Sequence, residues 1–242
     1  MERFKQMKIV DPERYTSRIM SQMKTDLRLP KEPYHIECFD NSNIQGSNPV
    51  AACVVFKNGK PSKKEYRHYN IKTVQGPDDF ASMEEVVYRR YKRLLEEEAP
   101  LPQLIVIDGG KGQLSSAVKS LDLLELRGKI SIIGIAKRLE EIYFPEDSIP
   151  LYIDKRSESL KILQRARDEA HRFGITFHRQ KRSKGSLNSE LDQIDGIGPA
   201  TRDKLLVHFK SLKRIKKASK EELEKILGKQ NGAKIYIGLH SK

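Results

Sequence analysis

The sequence predicts an α/β fold, a mixed sheet flanked by helices, followed by a small all-helical module. Three observations predict it. Four consecutive large aliphatics, Leu104-Ile105-Val106-Ile107, end on Asp108 and a glycine-rich turn, Gly109-Gly110-Lys111-Gly112-Gln113-Leu114. A central strand covered on both faces reads this way, because it has no solvent side to impose alternation. Stretches with apolar residues at three- and four-residue spacing, the mark of helices, lie on both sides of that run. After His178 the composition turns abruptly basic and glycine-punctuated.

The totals set the scale. A chain of 242 residues can hold one sizeable core, or a core of typical domain size plus a small second module. Lys and Arg number 46 against 33 Asp and Glu, a net charge of +13, which favours a polyanionic partner, nucleic acid first. From His178 to Lys242, 16 cations stand against 7 carboxylates, so +9 of the +13 sits in the tail. Cys38 and Cys53 lie in apolar segments without metal-binding spacing and read as buried thiols in a reducing compartment. No apolar run approaches the roughly 20 residues of a membrane span, and the first residues lack a signal-peptide core. The expectation is a cytoplasmic protein without a membrane partner.

Residues 1–33 read as an N-terminal helical arm, in which Tyr15, Ile19, Met23 and Leu27 mark one helix face from about Pro12, stopped by Pro30 and Pro33. A core domain over 34–180 then opens with three strands, Tyr34–Asp40, Val50–Phe56 and Lys64–Ile71, with Asn58-Gly59 as a hairpin turn. Gly76-Pro77-Asp78-Asp79 starts a helix carrying Phe80, Met83, Val87, Tyr91 and Leu94 on one face. Asp78 and Asp79 could serve as metal ligands, but their place ahead of a helix favours N-capping. The 104–107 strand follows, then a helix over Gln113–Leu126 and a β-branched strand over Lys129–Ala136, together a right-handed parallel crossover. A hairpin of Ile142–Phe144 with Leu151–Ile153 decorates the edge. Ser157 to Phe177 forms the longest helix, with Leu163, Ala166, Ala170, Phe173 and Phe177 as its seam.

Residues 181–187 read as a basic linker and 188–242 as a tandem binding module. Leu191 to Thr201 gives a helix, a Gly196-Ile197-Gly198 turn and a second helix from Pro199 through Phe209, and so resembles a helix-hairpin-helix. The glycines let backbone N–H groups at the following helix start point at a phosphate, while Ile197 plugs the turn into the core. Gly196, Ile197, Gly198, Thr201 and Lys204 are the expected DNA-facing residues. In the second unit Ser219 and Glu222 make a capping box. Gly228-Lys229-Gln230-Asn231-Gly232 stands where a second turn belongs, which suggests a degenerate or longer hairpin. Such a pair reads backbone and groove shape rather than base sequence.

The element order of the core resembles the ribonuclease H fold, whose metal ligands sit on the first strand, at the end of the fourth, and on the last helix. Asp40, Asp108 and His171 occupy those places. Alone, Asp108 is equally a turn residue capping the next helix, and His171 an ordinary helix histidine at the border of the seam. Their convergence turns them into ligands. Two carboxylates and an imidazole bind a divalent ion and leave positions open for phosphate and water, with one ion or two, ~3.5–4 Å apart.

Four segments carry a closer resemblance: Ile36-Glu37-Cys38-Phe39-Asp40; Val106 through Leu114; Leu163-Gln164 with Arg167-Asp168-Glu169-Ala170-His171-Arg172-Phe173; and Asp195 through Pro199. In order and spacing they resemble the C-terminal half of the UvrC family, over roughly Tyr34 to Phe209. The resemblance implies a catalytic Asp40, Asp108 and His171 triad using Mg²⁺ or Mn²⁺ to cut the damaged strand 5′ of a lesion in nucleotide excision repair. It also implies tandem hairpins on the DNA and UvrB as partner. Lys111 and Gln113 are expected near the scissile region from charge and position. Asp168, three residues before His171, is expected as an orienting carboxylate or fourth ligand. UvrC proteins also carry a GIY-YIG nuclease module for the 3′ cut and a UvrB-pairing segment. Neither motif occurs in these 242 residues, so half of a longer protein or a shortened relative is expected. The alternatives are a non-catalytic DNA-binding adaptor and an RNase H-like nuclease acting on hybrids or junctions.

Overall fold

The computed structural model describes residues 7, 9–42, 50–74, 76–136, 140–192 and 198–240. Helix α1 (Pro12–Asp26) starts on Asp11, whose carboxylate accepts the Arg14 amide at 3.0 Å, with Pro12 where no amide is needed. Strands β1 (His35–Ser42) and β2 (Val50–Lys57) follow. Asn58 and Gly59 take φ of 55° and 70°, the left-handed pair that closes a two-residue hairpin onto β3 (Lys60–Pro61). The expected third strand is split. The Ser62 hydroxyl donates to Glu65 and holds a 3₁₀ turn over Lys63–Glu65, so β4 covers only Arg67–Asn70.

Asp78 caps α2 (Asp79–Glu96), accepting the Phe80 and Ala81 amides, the role its sequence position favours. Then come β5 (Leu104–Asp108), α3 (Lys111–Leu123), β6 (Ser131–Ala136), β7 (Glu141–Tyr143) and α4 (Glu158–Asp192). The expected edge hairpin reduces to β7, antiparallel to β6, and a single bridge between Ile142 and Leu151. The sheet runs β3-β2-β1-β5-β6-β7, with β4 beside β2. β1, β5 and β6 pair in parallel, and α3 crosses between the last two. This is the mixed, RNase H-like sheet flanked by helices. Among the described residues no helix is long and apolar enough to cross a membrane.

Alternation along the strands divides the core into two. Ile36, Cys38, Leu104, Val106, Ile133 and Ile135 face α1 and α4, burying Met20, Met23, Leu163, Ala166 and Ala170. The helix expected as an arm thus contributes to the main core. Phe39, Ile105, Ile107 and Ile132 face α2 and α3, against Met83, Val87, Tyr91, Leu114, Ala117 and Leu121.

A buried ion pair, Glu37 with Arg90, enters the second core. Glu37, fully buried, accepts bonds from Arg90 at 2.5 and 3.1 Å and from the Tyr91 hydroxyl at 3.0 Å. Burial pushes its pKa up, but hydrogen bonds from His35 and Arg90, with the Arg90 charge, outweigh it and pull it down to about 2.

The chain divides after His178 into two units. α4 itself runs on to Asp192, through the 181–187 stretch expected as a linker. Lys, Arg, Leu and Ser there are all compatible with helix, and a lone Gly185 costs only about 1 kcal/mol, so nothing local stops it. The second unit holds α5 (Pro199–Phe209), α6 (Leu212–Lys217), α7 (Lys220–Leu227) and α8 (Lys229–His240) around Leu205, Phe209, Ile215, Leu223 and Ile235. Ser219 and Glu222 form the capping box. The second hairpin is tight, not long: only Gly228, at φ 83°, separates α7 from α8. Gly232 is a crossing residue inside α8, where a Cβ would stand 2.4 Å from the Glu224 Cα.

Replacing Glu37 by Gln leaves Arg90 buried and uncompensated and lowers stability at neutral pH by about 3–5 kcal/mol. The folded pKa lies below the ordinary 4.5, so the wild-type contribution is complete above that value and is lost as pH falls towards 2. Urea unfolding between pH 2 and 7 checks both, and an unchanged neutral-pH midpoint in Glu37→Gln contradicts them.

Candidate metal centre

Strand parity and one register position the carboxylates. β1 pairs with β5 through Cys38 with Val106 and Phe39 with Ile107, so the next residues stand side by side, Asp40 two residues before the end of β1 and Asp108 at the end of β5. Each is two residues beyond a side chain of the α1–α4 face and points to that side. α4 crosses there. Leu163, Ala166 and Ala170 seat it on the sheet before His171. Beyond it, Phe173 and Phe177 sandwich the His68 ring of β4 at 3.6 and 4.1 Å, and the Phe173 carbonyl lies 3.1 Å from His68 Nε2.

His171 Nδ1 lies 3.2 Å from Asp40 Oδ2. Asp40 is buried, Asp108 half-buried, and the His171 side chain 46% exposed. One ligand atom from each lies within 4.8 Å of the others. Donors around one small divalent ion stand roughly 3–4.5 Å apart, so the residues present fit such an ion. Two carboxylate oxygens with one imidazole nitrogen make a donor set for a divalent ion. The floor is inert: burial first, then the Asp108 and Asp40 charges, push the Cys38 thiol far up, so it stays protonated.

The auxiliary residues make contacts of their own. Asp168 does not join the three. Its side chain is 67% exposed, and Oδ1 accepts two bonds from Arg167, at 3.0 and 3.1 Å. Arg167 is buried one turn before His171 and also donates to Glu140 at 2.8 Å, a brace that sequence reasoning missed because its partner is 27 residues away. Lys111 is drawn to the other side, where Nζ donates to the Ser148 carbonyl at 2.7 Å and sits 5.2 Å over the Tyr143 ring. Gln113 folds back over Gly109, where a Cβ would meet its Oε1 at 1.5 Å, and Phe80 lies over Gly112, where a Cβ would approach the ring to 2.5 Å. These two glycines are therefore required by close side chains from within the chain.

Of the expected DNA-facing residues, Gly196 and Ile197 lie outside the described residues. Gly198 is the N-cap of α5 and, having no side chain, makes no side-chain cap bond to the first-turn amides. Thr201 is half-buried in that first turn and Lys204 exposed in the next.

A family model described as the UvrC RNase H endonuclease domain matches residues 24–175, and one for a SAM-like helix-hairpin-helix tandem matches residues 189–241. The UvrABC system protein C of Christiangramia forsetii is 71% identical over 241 residues, covering 100% of this chain and 40% of that protein. That of Porphyromonas gingivalis is 57% identical over 242 residues, with the same 100% and 40% coverage. The chain spans about 40% of the length of the curated relatives it matches. Among solved structures, endonuclease V of Ciona intestinalis aligns at 18% identity and a TM-score of 0.34, over 65% of this chain and 68% of that one.

Replacing Asp40 by Asn weakens Mn²⁺ binding by more than the roughly 10- to 100-fold typical of losing a ligand's hydrogen-bond partner. Asp168→Asn leaves it within about twofold. Calorimetric titration decides, and a large loss in Asp168→Asn puts that carboxylate back among the ligands.

Proposed function

The chain belongs to the UvrC family, and on that premise we propose that Asp40, Asp108 and His171 are the catalytic, metal-binding triad of a DNA endonuclease making the 5′ incision in nucleotide excision repair. The observation that carries the reading is the convergence of these three donors at the ends of adjacent parallel strands. A bound Mg²⁺ or Mn²⁺ would supply positive charge against the scissile phosphate and lower the pKa of the attacking water. The chain's own residues do the rest. Asp40 and Asp108 offer anionic oxygens from a rigid sheet edge. His171 offers a ring nitrogen in place of a third carboxylate, which would add negative charge against the DNA phosphates. The buried contacts on either side of His171 along α4 limit its travel, which keeps the donor set close to binding geometry.

The second unit is the proposed DNA-holding module. Glycine at the start of α5 leaves its first amides clear for a phosphate, and Lys204 adds charge one turn on. Damaged duplex DNA is the substrate, UvrB of the excision complex the partner, and the cytoplasm the compartment in this reading.

Asp108→Asn abolishes Mn²⁺-dependent cutting of a damaged duplex in the presence of the partner subunits, while its DNA affinity stays within a few-fold of wild type. Retained cutting sinks the triad. Parallel reactions on an RNA–DNA hybrid and a four-way junction separate repair incision from the other RNase H-like activities. Removing residues 187–242 weakens DNA binding and flattens its salt dependence, by about 0.9 in the log–log slope for each phosphate that the shortened chain leaves unneutralised. An unchanged slope by fluorescence anisotropy removes the second unit from the binding surface.

A further inference from the structure

Phe80 is a large ring in the first turn of α2 that remains 54% exposed. It lines an open groove of about 700 Å³ together with Pro77, Asp79 and the turn of Gly110, Gly112 and Gln113. That volume falls within the roughly 300–1,000 Å³ of sites that hold small molecules. The ring is held firmly for an exposed side chain. The Phe80 amide bonds to the Asp78 carboxylate at 3.0 Å, and the ring lies against Gly112 so closely that any side chain there would collide with it.

The groove, on the α2–α3 side of the sheet, is linked to the metal centre through both carboxylate-bearing strands. Asn41, the residue after Asp40, donates from Nδ2 to the Asp79 carbonyl at 2.7 Å and ties the start of α2 to the end of β1. Gly110, Gly112 and Gln113 follow Asp108 by two to five residues. The charge of the lining then selects the occupant. Asp78 and Asp79 are its charged members, and among the described residues no Lys or Arg lines it, so a phosphate is disfavoured and an uncharged planar ring is not. A DNA strand passing the metal centre offers such a ring beside each phosphate.

We propose that Phe80 is a stacking platform for an unpaired nucleobase of the strand whose phosphate lies at the Asp40, Asp108 and His171 centre. This rests on the nuclease reading above. A paired base is already stacked and cannot enter the groove, so the platform favours DNA opened next to the cut. Base-on-aromatic stacking contributes about 1–3 kcal/mol per base without regard to sequence.

The test uses the full 242-residue chain in EDTA, which suppresses metal-dependent hydrolysis, with duplexes containing a short unpaired segment and 5-iodouracil at successive positions in it. Iodouracil photocrosslinks to an aromatic ring on which it stacks. Wild type is expected to crosslink through Phe80 at one or two neighbouring positions. Phe80→Leu, which keeps apolar contact with Gly112 but has no ring, loses that crosslink and weakens binding to the opened duplex by roughly 5- to 100-fold. Its affinity for fully paired duplex and its thermal midpoint stay unchanged. Phe80→Trp restores the opened-duplex affinity. A crosslink mapping elsewhere, or an equal loss in Phe80→Leu on paired and opened DNA, overturns the platform. If the Phe80 crosslink forms but wild type with Mn²⁺ and the partner subunits leaves a damaged duplex opened at the same positions uncut, stacking on Phe80 stands and the nuclease reading falls.

Discussion

A slip of β1 by one residue against β5 would destroy the metal centre without changing a single amino acid. Side chains alternate between faces, so the pairing of Phe39 with Ile107 is what lets Asp40 and Asp108 end side by side on the face that α4 covers. The register is held from both sides of the sheet. Ile36 and Cys38 must meet Leu104 and Val106 in one core while Phe39 meets Ile107 in the other, and a slip would exchange the two sets. The geometry of the candidate metal centre is thus a by-product of apolar packing, which is far stronger than the interaction between two carboxylates that would, on their own, repel.

The two helices that complete the site are anchored on β1 by different physics. α4 lies on it through small side chains, Ala166 and Ala170, which bring its axis close enough for His171 to reach Asp40. α2 is anchored on the opposite face through Glu37, whose two oxygens take Arg90 and Tyr91. Charge-assisted bonds of this kind are directional, so they fix how α2 sits as well as that it sits. The consequence is felt at the far end of the helix, where the Asn41 bond to Asp79 and the contact of Phe80 with Gly112 set its first turn beside the strand ends.

The second unit solves a different problem with the same means. Among the described residues its core is six buried side chains, too few to tolerate slack, and its last two helices close on each other through a one-residue turn and a glycine at the crossing. A rigid small module of this kind can present helix starts to a polyanion without rearranging.

Everything set by local period or local capping was legible in the chain: the aliphatic run ending on Asp108, the Asn58-Gly59 hairpin, Asp78 and Ser219 as caps, the seam of α4, and the three residues of the centre by their order along the elements. What the sequence could not rank was polar residues equally placed on one element. Asp168 and His171 share the exposed border of α4, and the choice between them lies with Arg167, buried because Glu140 reaches it from another loop, which then takes the Asp168 carboxylate for itself. Gly109 and Gly112 read only as parts of a glycine-rich turn, whereas Gln113 and Phe80 fill the space above them. Residues 181–187 read as linker from charge alone, yet nothing in them breaks a helix already under way. Sequence by itself determined elements, faces and the three donors, because period and capping act within a few residues. Only the tertiary structure decided which charged and aromatic side chains attend those donors, because each of those contacts joins elements that are distant along the chain.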